Sequence, residues 1–149
     1  KLILAGHTTP ASARWEARAK EAPLAGHVEI TGYVDTATRI QLFANARLLV
    51  LPSYEEGFGL PVLEAMASGC PVICSNRSAL PEVAGDAAQY VDPEDVDGLA
   101  ATLRLVLQHE HLIYPLAARL YAEGRLRLQG ERAELDGSPL PVHGMPLDA

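Results

Sequence analysis

Pro52-Ser53-Tyr54-Glu55-Glu56-Gly57-Phe58-Gly59-Leu60-Pro61-Val62-Leu63-Glu64-Ala65-Met66-Ala67-Ser68-Gly69-Cys70-Pro71-Val72-Ile73 follows an apolar strand, Leu48 to Leu51. It reads as a glycine-bearing loop with an acid, Glu56, at its mouth, then a helix opening at Pro61 with a second acid, Glu64, in its first turn. Gly57 and Gly59 have no side chain, so they permit unusual backbone angles and let main-chain N–H groups come close to a ligand. Pro61 fits the first helical position, where its missing donor costs nothing. The N–H groups around Gly59 and Leu60 are then unpaired at the positive end of the helix dipole, a setting for a phosphate. Carboxylates only accept hydrogen bonds, so the acids on either side suit the vicinal hydroxyls of a sugar or ribose. By itself such a loop is turn chemistry; the second acid and the surrounding text make it a candidate nucleotide-sugar site. Glu55 reads as solvated surface, and Ala65 and Met66 as the core face of the helix.

Outward from this stretch, short apolar runs alternate with longer amphipathic ones, the pattern of a parallel sheet covered by helices. Strands are expected near Leu2 to Ala5, Val28 to Ile30, Arg47 to Leu51, Val72 to Cys74 and Gln89 to Val91. Helices are expected near Ser12 to Glu21, Ala37 to Asn45, Pro61 to Ser68 and Glu94 to Gln108, with a turn of helix around Ala79 to Val83. Asp35 and Thr36 supply a cap for the second helix, and Gly69 followed by Pro71 closes the motif helix. The fold class is α/β, a Rossmann-like doubly wound parallel sheet.

Glu56 and Glu64 form E-x7-E within E-G-F-G-L-P-V-L-E-A-M-A-S-G-C-P-V-I. This string resembles the donor-binding signature of retaining GT-B glycosyltransferases (glycosyl transferases group 1). The similarity runs from about Leu2 to about Leu107 and includes Thr31-Gly32-Tyr33-Val34, Leu80-Pro81-Glu82-Val83-Ala84-Gly85-Asp86-Ala87-Ala88 and Val91-Asp92-Pro93-Glu94-Asp95. The resemblance implies that Glu56 binds hydroxyls of the donor sugar and that the backbone of Gly57, Phe58 and Gly59 lies along sugar and diphosphate. It gives the Leu60 N–H to a phosphate, Glu64 to the ribose hydroxyls, and Gly32-Tyr33-Val34 to the nucleobase. The implied reaction is transfer of a sugar from a nucleoside diphosphate to an acceptor hydroxyl with retention. A nucleoside-diphosphate sugar is then the substrate, with no cofactor and no metal.

The resemblance covers most of one of the two domains of a complete GT-B enzyme. The acceptor domain has no counterpart here, nor does the opening β-α unit whose basic residues neutralise the diphosphate; Lys1 and Arg14 do not match them. The expectation is donor binding without transfer by this chain alone. Loss of a central first strand would also leave Leu2 to Ala5 and Leu48 to Leu51 without a shared neighbour. Three arrangements would close that gap: direct pairing of the two, insertion of a tail strand such as Arg125 to Leu128, or a strand-swapped homo-oligomer.

With 149 residues, 48% hydrophobic and 21% charged, the chain is sized for one globular domain. A net charge of -7 argues against nucleic acid as a partner. No apolar run reaches the roughly 20 residues of a membrane span, and Lys1-Leu2-Ile3-Leu4-Ala5-Gly6 reads as a buried strand entered abruptly, not as a signal peptide. Cys70 and Cys74 lie too far apart along a strand for a disulfide and suit a reduced cytoplasmic protein.

After Leu107 the text changes. Gln108 to Pro115 leads into an amphipathic helix to about Ala122, and Gly124 to Gly137 alternates like a hairpin turning near Gly130. Residues 105–137 resemble the carboxy-terminal end of bacterial glycinamide ribonucleotide formyltransferases, without that family's catalytic residues. The resulting division is a nucleotide-sugar-binding unit over 1–107, a helix-and-hairpin extension over 108–137 and a loose terminus over 138–149. Two resemblances in one chain suggest a chimera, and the competing reading is a chimeric or designed α/β scaffold with no activity. His109-Glu110-His111 is read as a polar helix end, since adjacent side chains on a helix diverge and cannot share a metal.

Overall fold

Val72–Ser75, the strand that follows the motif, is buried at every residue and lies in the middle of a three-stranded parallel sheet. The computed structural model describes residues 1–129 and 132–140, and for 109–118 the backbone alone. Numbered in chain order, the strands of the α/β part are β1 (Leu2–Ala5), β2 (Val28–Gly32), β3 (Leu49–Leu51), β4 (Val72–Ser75) and β5 (Gln89–Val91). β4 pairs on one side with β3, Val50 opposite Ile73, and on the other with β5, Cys74 opposite Tyr90. An unbroken apolar run is what a strand covered on both faces requires. Strand side chains alternate, and accordingly Val72 and Cys74 belong to the main apolar cluster while Ile73, equally enclosed, does not.

The helices of this part are α1 (Ala13–Ala19), α2 (Thr36–Asn45), α3 (Leu60–Ala67), α4 (Leu80–Ala84) and α5 (Val96–Ala122). Phe43 of α2, Val62 and Ala65 of α3, and Leu80 and Ala84 of α4 close over Val72 and Cys74 with Cys70 and Ala88. Ala65 is fully buried and Met66 packs against the cluster, as the helical period requires. Cys70 and Cys74 are buried thiols not joined in a disulfide, and desolvation pushes the Cys74 thiol up.

The strands fall where the apolar runs place them, but their pairing departs from the expectation. β1 and β2 form a separate two-stranded parallel sheet, Leu2 opposite Val28 and Leu4 opposite Ile30. β1 pairs with neither β3 nor the tail, so direct pairing and tail insertion are both corrected. Leu2, Ile3 and Leu4 are 51%, 42% and 42% exposed, so this strand is not buried, because only β2 lies beside it.

Beyond Leu107 the backbone runs without a break: α5 spans 27 residues and crosses the helix end expected at Gln108. β6 (Leu126–Gln129) and β7 (Arg132–Leu135) pair antiparallel, Arg127 opposite Glu134, the hairpin that the alternation indicates. A third strand, β8 (Ser138–Pro139), continues the meander with Ser138 opposite Leu135. Its turn is Asp136-Gly137, both at positive φ, 52 and 82, the two-residue geometry that matches the twist of paired strands. Ser138 and Pro139, expected in a loose terminus, are therefore paired, and residues 141–149 lie outside the described residues, as do the side chains of His109-Glu110-His111. Arg125 grips the turn, Nε to Asp136 Oδ1 at 2.8 Å and Nη2 to Oδ2 at 2.7 Å. Among the described residues no helix is long and apolar enough to cross a membrane.

Three carboxyls are held below the ordinary aspartate range: Asp35 by hydrogen bonds from Thr38, Asp92 by the Glu94 backbone N–H, and Asp136 by Arg125. A lowered folded-state pKa stabilises the fold fully above the unfolded value, about 3.9 for aspartate, and this is lost as pH falls through the folded value. Thermal melts should therefore decline in acid below about pH 4. Asp35→Asn, which keeps a capping oxygen without the charge, is expected to flatten that decline; an unchanged slope would remove Asp35 from it.

Candidate functional site

The acid loop joins β3 to α3 at the carboxyl end of a parallel strand, where open α/β sheets bind ligands. Serines hold it. Buried Ser75, at the end of β4, donates its Oγ to Ser53 O at 2.6 Å. Ser53 Oγ in turn donates to Glu56 Oε1 at 2.8 Å. Ser78 Oγ donates to Glu56 O at 2.7 Å and accepts from Glu56 N at 3.3 Å, its own backbone at φ 58. Glu56 is thus fixed at both backbone groups and at one carboxylate oxygen.

Gly59 is the N-cap of α3, in the left-handed region at φ 88, ψ 36. A Cβ there would lie 2.7 Å from Leu80 Cδ2, so glycine is required both by angle and by space. Gly57 is different: its φ is ordinary and nothing lies within 4 Å of an added Cβ. The need for unusual angles expected at both glycines is confined to Gly59.

α3 starts at Leu60, one residue earlier than expected, which places Pro61 second. Val62 N donates to Gly59 O at 2.9 Å, Pro61 has no donor, and the Leu60 N–H has no acceptor among the described residues. With the earlier start, Glu64 falls just past the first turn, which contains no acid. It is four residues from Leu60 and hence on the same face. Its carboxylate is not free: Arg39 of α2 donates Nη2 to Oε1 at 2.8 Å, and Arg39 Nε lies 2.8 Å from Oε2. That second arm is a charge contact without hydrogen-bond alignment.

Gly32-Tyr33-Val34 starts at the last residue of β2, with Gly32 at φ 70 and its carbonyl accepting from Gly6 N at 2.9 Å. Tyr33 is 67% exposed and stacks on His7, ring centroids 4.8 Å apart. Asp35 immediately afterwards caps α2 by accepting from Thr38 N at 2.7 Å. The same helix therefore begins beside Tyr33 and carries the arginine that reaches Glu64. Phe58 and Tyr54 stand exposed on the loop, and the Arg77 guanidinium lies 5.8 Å from the Tyr54 ring.

Sequence reasoning missed Arg39, Ser53, Ser75 and Ser78. A local signal existed for Ser53 alone, three residues before Glu56 in a turn that serine favours. Among the described residues no cluster of three metal-ligating side chains occurs.

The profile of the family described as Glycosyl transferases group 1 matches residues 1–127. The chain belongs to this family. Its relatives include the O-antigen chain mannosyltransferase B of Escherichia coli, 49% identical over 85 residues, 57% of this chain and 22% of that protein. Among solved structures, sucrose-phosphate synthase from Thermosynechococcus elongatus aligns with TM-score 0.63 and 31% identity over 72% of this chain and 29% of its own. The C-terminal domain of a glycosyl transferase group 1 family protein from Francisella tularensis aligns with TM-score 0.63 and 30% identity, covering 75% of this chain and 61% of that one. The chain thus spans about a fifth of the Escherichia coli relative. The family match continues to residue 127, through all of α5, so a chimeric joint near residue 107 has no support.

Proposed function

We propose that this chain binds a nucleoside-diphosphate sugar, as the donor-binding unit of a glycosyltransferase. The observation that carries the reading is the unaccepted Leu60 N–H at the start of α3, with Glu56 and Glu64 flanking it and each held by a partner, Ser53 and Arg39. A diphosphate meets the helix start, Glu56 accepts from sugar hydroxyls, Glu64 accepts from the ribose, and Gly57-Phe58-Gly59 supplies backbone alongside. Tyr33, between Gly32 and Val34, offers the base a ring face. Mannose is the sugar we expect, because the Escherichia coli relative is named a mannosyltransferase. We assign no divalent metal to the reading, in which the helix start itself meets the diphosphate.

For the 149 residues by themselves we expect binding without transfer. Lys1 is paired with Glu29 at 2.5 Å and Arg14 lies over Trp15, and neither matches the basic residues that the resemblance implies for the diphosphate. Neither acid is assigned acid–base work.

Calorimetric titration with UDP, GDP and ADP and their glucose and mannose derivatives tests the reading. One base should bind saturably, its mannose derivative no more weakly, and chelator should change nothing. A folded chain that binds none of them would make the motif inherited text on an inactive scaffold.

A further inference from the structure

We infer that Arg39 is a positioning residue for Glu64, holding its carboxylate in the orientation that a ribose needs. The inference deepens the donor-binding reading and rests on it. Arg39 and Glu64 are 25 residues apart, on different helices, so this is not the i,i+4 pairing of a solvated helix face. Both helices are anchored beneath the pair. Phe43, one turn after Arg39, is buried in the core, as is Ala65 beside Glu64. The side chains are only one third exposed, 33% and 36%.

An ionised carboxylate has about four acceptor sites, two on each oxygen. The guanidinium approaches both oxygens, Nη2 to Oε1 and Nε to Oε2, each at 2.8 Å. Only Nη2 is aligned as a hydrogen bond, so one site on Oε1 and both on Oε2 remain, and two adjacent acceptors on a fixed plane match the vicinal 2′ and 3′ hydroxyls of a ribose. Glutamate otherwise carries rotamer freedom that a ligand would have to remove, and Arg39 removes it beforehand. Arg39 also offsets the charge of Glu64, which unpaired would repel a diphosphate at the nearby helix start.

The test is titration of the 149-residue chain with UDP, GDP and ADP, each beside its 2′-deoxy form. Parent, Arg39→Ala, Arg39→Lys, Glu64→Gln and the Arg39→Ala/Glu64→Gln double variant are compared, with thermal melts of each. Arg39→Ala should weaken the ribonucleotide by roughly five- to thirtyfold and the 2′-deoxy form far less. Arg39→Lys, a point charge without the planar fork, should fall between and serves if the alanine variant does not fold. In the Glu64→Gln background Arg39→Ala should add nothing.

Equal losses for ribo and deoxy forms, additive losses in the double variant, or tighter binding in Arg39→Ala would each overturn the inference. Loss of binding in Glu64→Gln with none in Arg39→Ala would overturn it and leave the donor reading standing. A parent that binds no nucleotide, or a Glu64→Gln that binds like the parent, would overturn both.

Discussion

Glu64→Ala should weaken nucleotide binding by about ten- to a hundredfold, since hydrogen bonds to a charged carboxylate contribute roughly 1.5–3 kcal/mol. The fold should survive the change. Alanine is the best helix former, Glu64 lies in α3 past its first turn, and the apolar contacts of that helix come from Val62, Ala65 and Met66. What the variant does lose is the ion pair with Arg39, whose partners are 33% and 36% exposed. Solvent screening at that exposure keeps the cost to about 1 kcal/mol or less. A melting temperature near that of the parent together with a large loss in calorimetry is therefore the expected pattern. Equal affinity in parent and variant would remove Glu64 from the site.

The contrast between Glu64 and Arg39 shows which part of such a site a sequence discloses. Glu64 was legible because it recurs at a fixed distance from Glu56 within one strand-loop-helix text. Arg39 comes from another helix, and nothing in Thr36–Asn45 marks one face as turned toward α3. The same division runs through the fold. β4 was legible from its apolar run and the start of α2 from Asp35, because period and capping are local chemistry. Which strand lies beside which is not local: Leu2–Ala5 reads as a buried strand, yet it pairs only with β2 and stays exposed.

Asp136-Gly137 is a hairpin dipeptide whose turn leads into β8, so a boundary at Gly137 falls inside the meander. The change of text after Leu107 read as a boundary, although helical hydrogen bonds join backbone to backbone and α5 passes through it. Both glycines of the acid loop looked alike in sequence, and only coordinates separate Gly59, at positive φ, from Gly57.

That separation yields the second large effect. Gly59→Ala should destabilise the fold by about 2–4 kcal/mol, the sum of a left-handed non-glycine residue and an overpacked contact. The added Cβ would come within 2.7 Å of Leu80 Cδ2. Leu80 is fully buried in the core cluster, so turning its side chain away disturbs the packing between α3 and α4. A loss of this size corresponds to a fall in melting temperature of roughly 5–15 °C. Nucleotide binding should fall with it, since any shift of the N-cap redirects the Leu60 N–H. Gly57→Ala is the matched control: its ordinary φ and open surroundings predict a melting temperature close to the parent's, with any loss confined to binding. If Gly59→Ala instead melts like the parent, the left-handed cap does not hold the start of α3 in place, and the phosphate setting at Leu60 loses its structural basis. If both alanine variants melt normally and only Gly57→Ala loses affinity, the ligand lies against the loop and not at the helix start.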